Sequence, residues 1–217
     1  MPFILEDVSH YLLKHKGTRG LFDVHGNQLQ IDNLKTLYNA NPGSHFKTKK
    51  QTISPHSAAR ILMLYFMELP EPLLMYKFYK AFCKVSKIPD ILLRLRNYRV
   101  LVQQGLPASH RETLLALLRF LKKMSNGSDY NLDKLADIWG PIVLKPRGKK
   151  HSNKRLAYVK AIMVSLLENI EYISTSRNLV LSNRDSEPIE ADPTDILREA
   201  LTLEEKRIDK LADGTSM

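Results

Sequence analysis

The chain has one cysteine, Cys83, in 217 residues, which excludes both an intramolecular disulfide framework and a cysteine-built zinc site. Its seven histidines form no HExxH pattern, and His10 and His15 lie five apart, off a common helical face. No metal or other cofactor is expected. Nor does any stretch reach the ~18 uninterrupted apolar residues of a membrane span. The opening MPFILEDVSHYLLKH carries no basic leader, and Glu6 and Asp7 interrupt its apolar run, so a reducing, cytoplasmic setting is expected. Aromatics are sparse at 8%, and Trp139 and the dispersed tyrosines make no base-stacking platform, so no nucleic acid is expected as a partner. His25 and His56 lack a serine or cysteine partner that would suggest a nucleophile. Period-two alternation and hairpin turns are missing too.

What remains is a globular composition, 43% hydrophobic and 26% charged, in a length that suits one large domain with an appendage. The net charge of +10 is uneven. From Asp185 onward ten acidic side chains stand against four basic ones, a tail of −6 that leaves +16 on residues 1–184. A body so basic favours an acidic protein surface, an anionic membrane or nucleic acid, and charge alone does not choose among them.

Apolar residues recur at helical spacing almost throughout, so an all-α fold of about eight or nine helices is expected. Ile4, Val8, Tyr11 and Leu12 make the first stripe. A second helix is predicted over Gln28–Asn39 with Leu29, Leu34 and Leu37 inward. The third runs from Ser54 to Met67, with Pro55 in its first turn, and the prolines of Leu69-Pro70-Glu71-Pro72 end it. Further helices fit Leu74–Lys87, a stretch through Leu101, and Pro107–Met124. Asn131–Trp139 is predicted to close at Gly140-Pro141, and Arg155–Tyr172 is the last helix of the body. Residues 179–217 read as a flexible acidic tail with a short amphipathic helix at about 193–212, striped by Leu197, Leu201, Ile208 and Leu211. Lys145, Arg147, Lys149, Lys150, Lys154 and Arg155 mark a basic loop. It reads as a solvated loop, as a contact for anionic lipid headgroups, or as a nuclear-import run.

Several blocks then fall in register: Thr18-Arg-Gly-Leu-Phe-Asp-Val-His-Gly26, His56-x-x-Ala59, Glu68-Leu-Pro-Glu-Pro-Leu-Leu74, Leu106-Pro107, Asn131-Leu132, Leu135-Ala136 and Gly140-Pro141. Together they resemble the Rho GTPase-activating-protein (RhoGAP) domain over residues 1 to about 175, within an expected domain of residues 1–178. The resemblance implies binding to the switch regions of a small GTPase of the Rho, Rac or Cdc42 type. It also implies that an active member inserts an arginine finger beside the transferred phosphate, worth roughly 10³–10⁵ in rate.

At the positions that the resemblance assigns to that work, this sequence departs from the family pattern. Asp23 follows Phe22 where the finger arginine is expected, and Arg19 stands where a glutamate is usual. Met63 and Met67 take the places of a lysine and an arginine before the first proline of Leu-Pro-Glu-Pro. Lys134 replaces the asparagine that braces the finger loop. Arg19, Asp23, Met63, Met67, Lys134 and Pro141 are thus the partner-binding positions carried over, and none is expected to be catalytic. A carboxylate facing the nucleotide phosphates opposes catalysis by about 4 kcal/mol per charge pair at ~4 Å and an effective dielectric near 20. The expectation is a GTPase-binding domain with weak or absent activation. The alternatives are an activator with a non-standard site, Arg19 being a displaced finger, or a basic module for membrane or nucleic acid. Asp23 and Lys134 are expected to pair, with a carboxylate oxygen within about 4 Å of the ammonium.

Overall fold

In the computed structural model, residues 2–40, 53–148 and 153–175 are described, the Lys154 side chain excepted. Nine α-helices and no strand form among them. The expected tail helix and Lys149 and Lys150 lie outside the described residues. No described helix is long and apolar enough to cross a membrane.

Helix α1 (Phe3–Lys14) buries Ile4, Leu5, Val8 and Leu12, with Glu6 in its first turn and Lys14 in its last to complement the helix dipole. Helix α2 (Gln28–Ala40) buries Ile31, Leu34 and Tyr38, not the stripe through Leu29 and Leu37. Leu29 sits two residues before Ile31, about 200° around the helix, and is 70% exposed. Tyr38 contributes a polar tie as well as bulk, because its hydroxyl donates to Asp7 Oδ2 on α1 at 2.8 Å. Helix α3 (Pro55–Met67) starts on its proline and packs against both α1 and α2.

The predicted helix over Leu74–Lys87 is shorter. A 3₁₀ turn at Tyr76–Phe78 leads into α4 (Tyr79–Val85). Met75, at φ 54°, sets the chain into that turn, and the Leu74 N–H is held by the Val143 carbonyl at 3.0 Å. Helix α5 (Ile91–Val100) runs on into a π-helical stretch at Leu101–Gly105, and α6 (Ala108–Ser125) follows.

Helix α7 (Leu132–Val143) passes through Gly140-Pro141 instead of stopping there. The proline stands in the last turn and removes only one helical hydrogen bond. Gly140 has no Cβ to clash with the proline ring. A Cβ there would also meet Val159 Cγ1 at 3.0 Å, so the glycine lets α7 lie close against α8 (Asn153–Glu168). The predicted last helix is likewise two. Asn169 directs its own Nδ2 at the Ser165 carbonyl, 3.0 Å away, in competition with its backbone N–H. α9 (Ile170–Ser174) restarts beyond it.

Gly26 is where the first long loop meets α3: a Cβ added there would meet the Ser57 backbone nitrogen at 2.5 Å. Gly17, on the same loop, has open space around it. Gly26→Ala should therefore lower stability by about 1–3 kcal/mol, seen as a lower denaturant midpoint, while Gly17→Ala should leave the midpoint nearly unchanged.

Candidate functional site

The loop between α1 and α2 is pinned along its length. Lys16 Nζ donates to the Asn126 carbonyl at 2.8 Å, the Arg19 carbonyl contacts His56 Nε2 at 3.0 Å, and the Asn27 N–H reaches Ser57 Oγ at 2.9 Å. Gly20 makes the turn. Its φ of 63° suits a residue without a side chain, and its carbonyl accepts from both Asp23 N at 3.0 Å and Val24 N at 2.9 Å. The next residues, Leu21 and Phe22, point inward and are buried. Phe22 meets Tyr130 and Trp139 edge-on, with ring centroids 5.2 and 5.7 Å away, and Phe66 of α3 meets Trp139 from another side at 5.9 Å. Such edge-to-face pairs add about 0.5–1.5 kcal/mol each beyond burial. The loop is thus anchored at one aromatic residue to Tyr130 and to Trp139 of α7, which packs in turn on Phe66 of α3, and the residue after the anchor must emerge at the surface.

That residue is Asp23. Its Oδ2 lies 2.9 Å from Lys134 Nζ and accepts from the Tyr130 hydroxyl at 3.0 Å. The same hydroxyl accepts the buried Phe22 N–H at 2.9 Å. Lys134 also stands over the Tyr130 ring, 4.4 Å from its centroid. Its backbone is set by Asn131, which caps α7 by accepting the Lys134 N–H at 2.8 Å. The expected pairing of Asp23 with Lys134 is present.

Electrostatics follow from this geometry. The Lys134 hydrogen bond lowers the Asp23 pKa below its ordinary value, helped by Tyr130 and opposed by partial burial. Lys134 moves up in return, chiefly through the same bond. Burial raises Tyr130, and the neighbouring carboxylate adds to that, which keeps the hydroxyl a donor. The cluster is a fully formed, self-neutralising contact: it presents neither a nucleophile nor an unpaired cation.

The other carried-over positions spread out. Arg19 is exposed on the same loop, four residues upstream. Met63 is only 8% exposed and belongs to the core, so its side chain faces the interior of the domain and not the surface. Met67 is exposed at the end of α3, where its carbonyl accepts from Lys145 Nζ at 3.4 Å. Pro141 is half-buried in α7, and Arg147 and Arg155 are exposed. Sequence reasoning missed Tyr130. Its spacing of four from Lys134, just ahead of the α7 cap, is the signal that could have found it.

Comparison with known proteins adds four findings. The model of the RhoGAP domain matches residues 2–148. A curated relative, Rho GTPase-activating protein gacII of Dictyostelium discoideum, is 30% identical over 189 residues, 84% of this chain; the chain spans 23% of that relative's length. The fold is similar to the crystal structure of human Rho GTPase activating protein 15, with a TM-score of 0.70, 24% identity and coverage of 79% of this chain and 83% of that one. It is also similar to the BH domain from GRAF, the GTPase regulator associated with focal adhesion kinase. There the TM-score is 0.67 at 23% identity, over 78% of this chain and 92% of that chain.

Two outcomes test the cluster. Tyr130→Phe should cost about 1–3 kcal/mol, because it leaves the buried Phe22 N–H without an acceptor. Folding lowers the Asp23 pKa, so the contribution of the pair is present above the ordinary aspartate value, about 3.9. It is lost as pH falls through the lower folded value. A carboxyl NMR titration should accordingly place Asp23 below the ordinary range, and Lys134→Met should move it back up.

Proposed function

The chain belongs to the RhoGAP domain family, and from that premise we propose that it binds a Rho-family small GTPase while accelerating GTP hydrolysis little. One observation carries this reading. At the position the family resemblance assigns to the arginine finger stands Asp23, tied at 2.9 Å to Lys134. Finger catalysis needs a guanidinium that neutralises charge developing on the transferring phosphate. A carboxylate supplies the opposite sign. Its partner is no substitute, since Lys134 is held by Asp23 from one side and by the Tyr130 ring from another.

Binding does not depend on the finger. The scaffold blocks that form this end of the domain are present and packed, with Trp139 in contact with both Phe22 and Phe66. The surface offered to the partner therefore keeps its shape and changes its chemistry. An exposed ion pair replaces a mobile cation, and Met67 offers apolar surface where the family pattern has an arginine. The result is a domain that can occupy the switch regions of a GTPase and leave the nucleotide intact.

Two measurements test this. GTP hydrolysis by Rho-, Rac- and Cdc42-type GTPases should rise less than about tenfold on adding the chain, against the 10³–10⁵ of a finger. Asp23→Arg alone should restore little of the difference, because Met67 and Lys134 also differ from the catalytic pattern. An increase of a hundredfold or more that Arg19→Ala abolishes would establish Arg19 as a displaced finger and overturn the proposal. Immobilised chain should retain at least one of those GTPases, and retention of none in either nucleotide state would remove the binding half of the reading.

A further inference from the structure

The turn between α4 and α5 has an unusual surface. Ile91 is 61% and Leu92 78% exposed, at adjacent positions in the first turn of α5. Their exposure is built in. Asp90 caps the helix by accepting the Leu93 N–H at 2.8 Å, and Arg94 donates to the Ile88 carbonyl at 2.7 Å, closing the turn from the other side. Two cross-braces keep the apolar pair on a stiff tip. Nothing among the described residues covers it.

The flanks of this tip are basic. Across residues 74–106 there is a single acidic residue, Asp90, against seven Lys and Arg. Lys80, Lys84 and Lys87 are exposed on and just after α4. The start of α8 joins them. Lys87 Nζ stands 5.6 Å from the centre of the Tyr158 ring, and the Arg155 guanidinium is near enough to Tyr79 and Cys83 of α4 to act on both electrostatically. Arg155 itself is exposed, and so is its neighbour Leu156.

We propose that the α4–α5 turn and the N-terminal turn of α8 form a docking surface for an anionic lipid bilayer, with Ile91 and Leu92 entering the headgroup layer between basic side chains that rest on the lipid phosphates. A bilayer fits better than other anionic partners. A polyanion in water has no use for a protruding Ile-Leu pair, and an acidic protein would need a matching apolar pocket, whereas a lipid interface accepts any apolar tip. Stable attachment to a membrane takes two weak signals together, and charge and apolar insertion are both present here. None of these residues belongs to the Asp23 cluster, so the inference stands apart from the GTPase reading.

The test uses the full chain and vesicle flotation. Vesicles of phosphatidylserine in phosphatidylcholine should carry the chain, and pure phosphatidylcholine should not, with retention falling as salt rises. Each basic residue at the surface contributes about fivefold, so Lys84→Glu with Lys87→Glu should weaken binding at least tenfold. Ile91→Asn with Leu92→Asn should weaken it by at least about tenfold through lost apolar burial. Leu29→Asn, an exposed apolar change on α2, should have no effect. Leu92→Trp serves as a second readout that does not rely on a disruptive change: its emission should shift to the blue on the anionic vesicles and be quenched by brominated lipid. The proposal is overturned if the anionic vesicles carry no chain, or if the Ile91/Leu92 double variant binds as well as the parent. Bound Leu92→Trp variant whose added indole emission escapes quenching overturns it equally, since the chain is then held on the headgroups by charge alone.

Discussion

The Tyr130 hydroxyl is the contact on which the end of the domain that carries Asp23 depends. It is buried, it accepts the Phe22 N–H, and it donates to the Asp23 carboxylate. One oxygen thereby satisfies a donor that would otherwise be stranded in the core and orients the acidic side chain outside it. The aromatic contacts around Phe22 supply the packing, and the hydroxyl supplies the direction. Without it the loop could keep its hydrophobic anchor and still lose the alignment of the residue that follows.

An exposed ion pair such as Asp23–Lys134 contributes little to folding, because water screens it and two side chains lose freedom to make it. Its consequence is local. The pair holds the exposed carboxylate against the domain's own Lys134 and Tyr130. Both charges also sit on well-set backbone. Gly20 forms the turn beneath one, and the Asn131 cap fixes the helix start beneath the other.

Charge is arranged differently in other parts of the domain. Lys160 bridges Asp137 at 2.7 Å and Asp133 at 3.7 Å, which ties α8 to α7 beside the cluster. The side chains of the α4–α5 region have no comparable acidic neighbours in sequence, and its two most exposed apolar residues sit among them. One end of the domain therefore carries charges paired with one another, while residues 74–106 hold seven Lys and Arg against one Asp. The field of such a cluster acts over about 8–10 Å at physiological salt, far enough to orient an approach to an anionic surface.

Residue pattern alone determined the all-α class, the positions of most helices, the succession of family blocks and the opposite charges at positions 23 and 134. Each of these is local, or a matter of register, and a one-dimensional string carries such information in full. The exceptions have a common cause. Leu29 and Ile31 are equally apolar, and only the docking of α2 against α1 and α3 decided that Ile31 is inside. Gly140-Pro141 ends a helix in isolation, but close packing on Val159 lets α7 continue to Val143. The pairing of Asp23 with Lys134 could be expected from the family pattern, whereas the sequence marks Tyr130 only by its spacing of four from Lys134, and its double role as acceptor from Phe22 and donor to Asp23 shows only in the folded contacts. Burial, close approach and shared hydrogen bonds are relations between distant segments, and they exist only once the chain has folded.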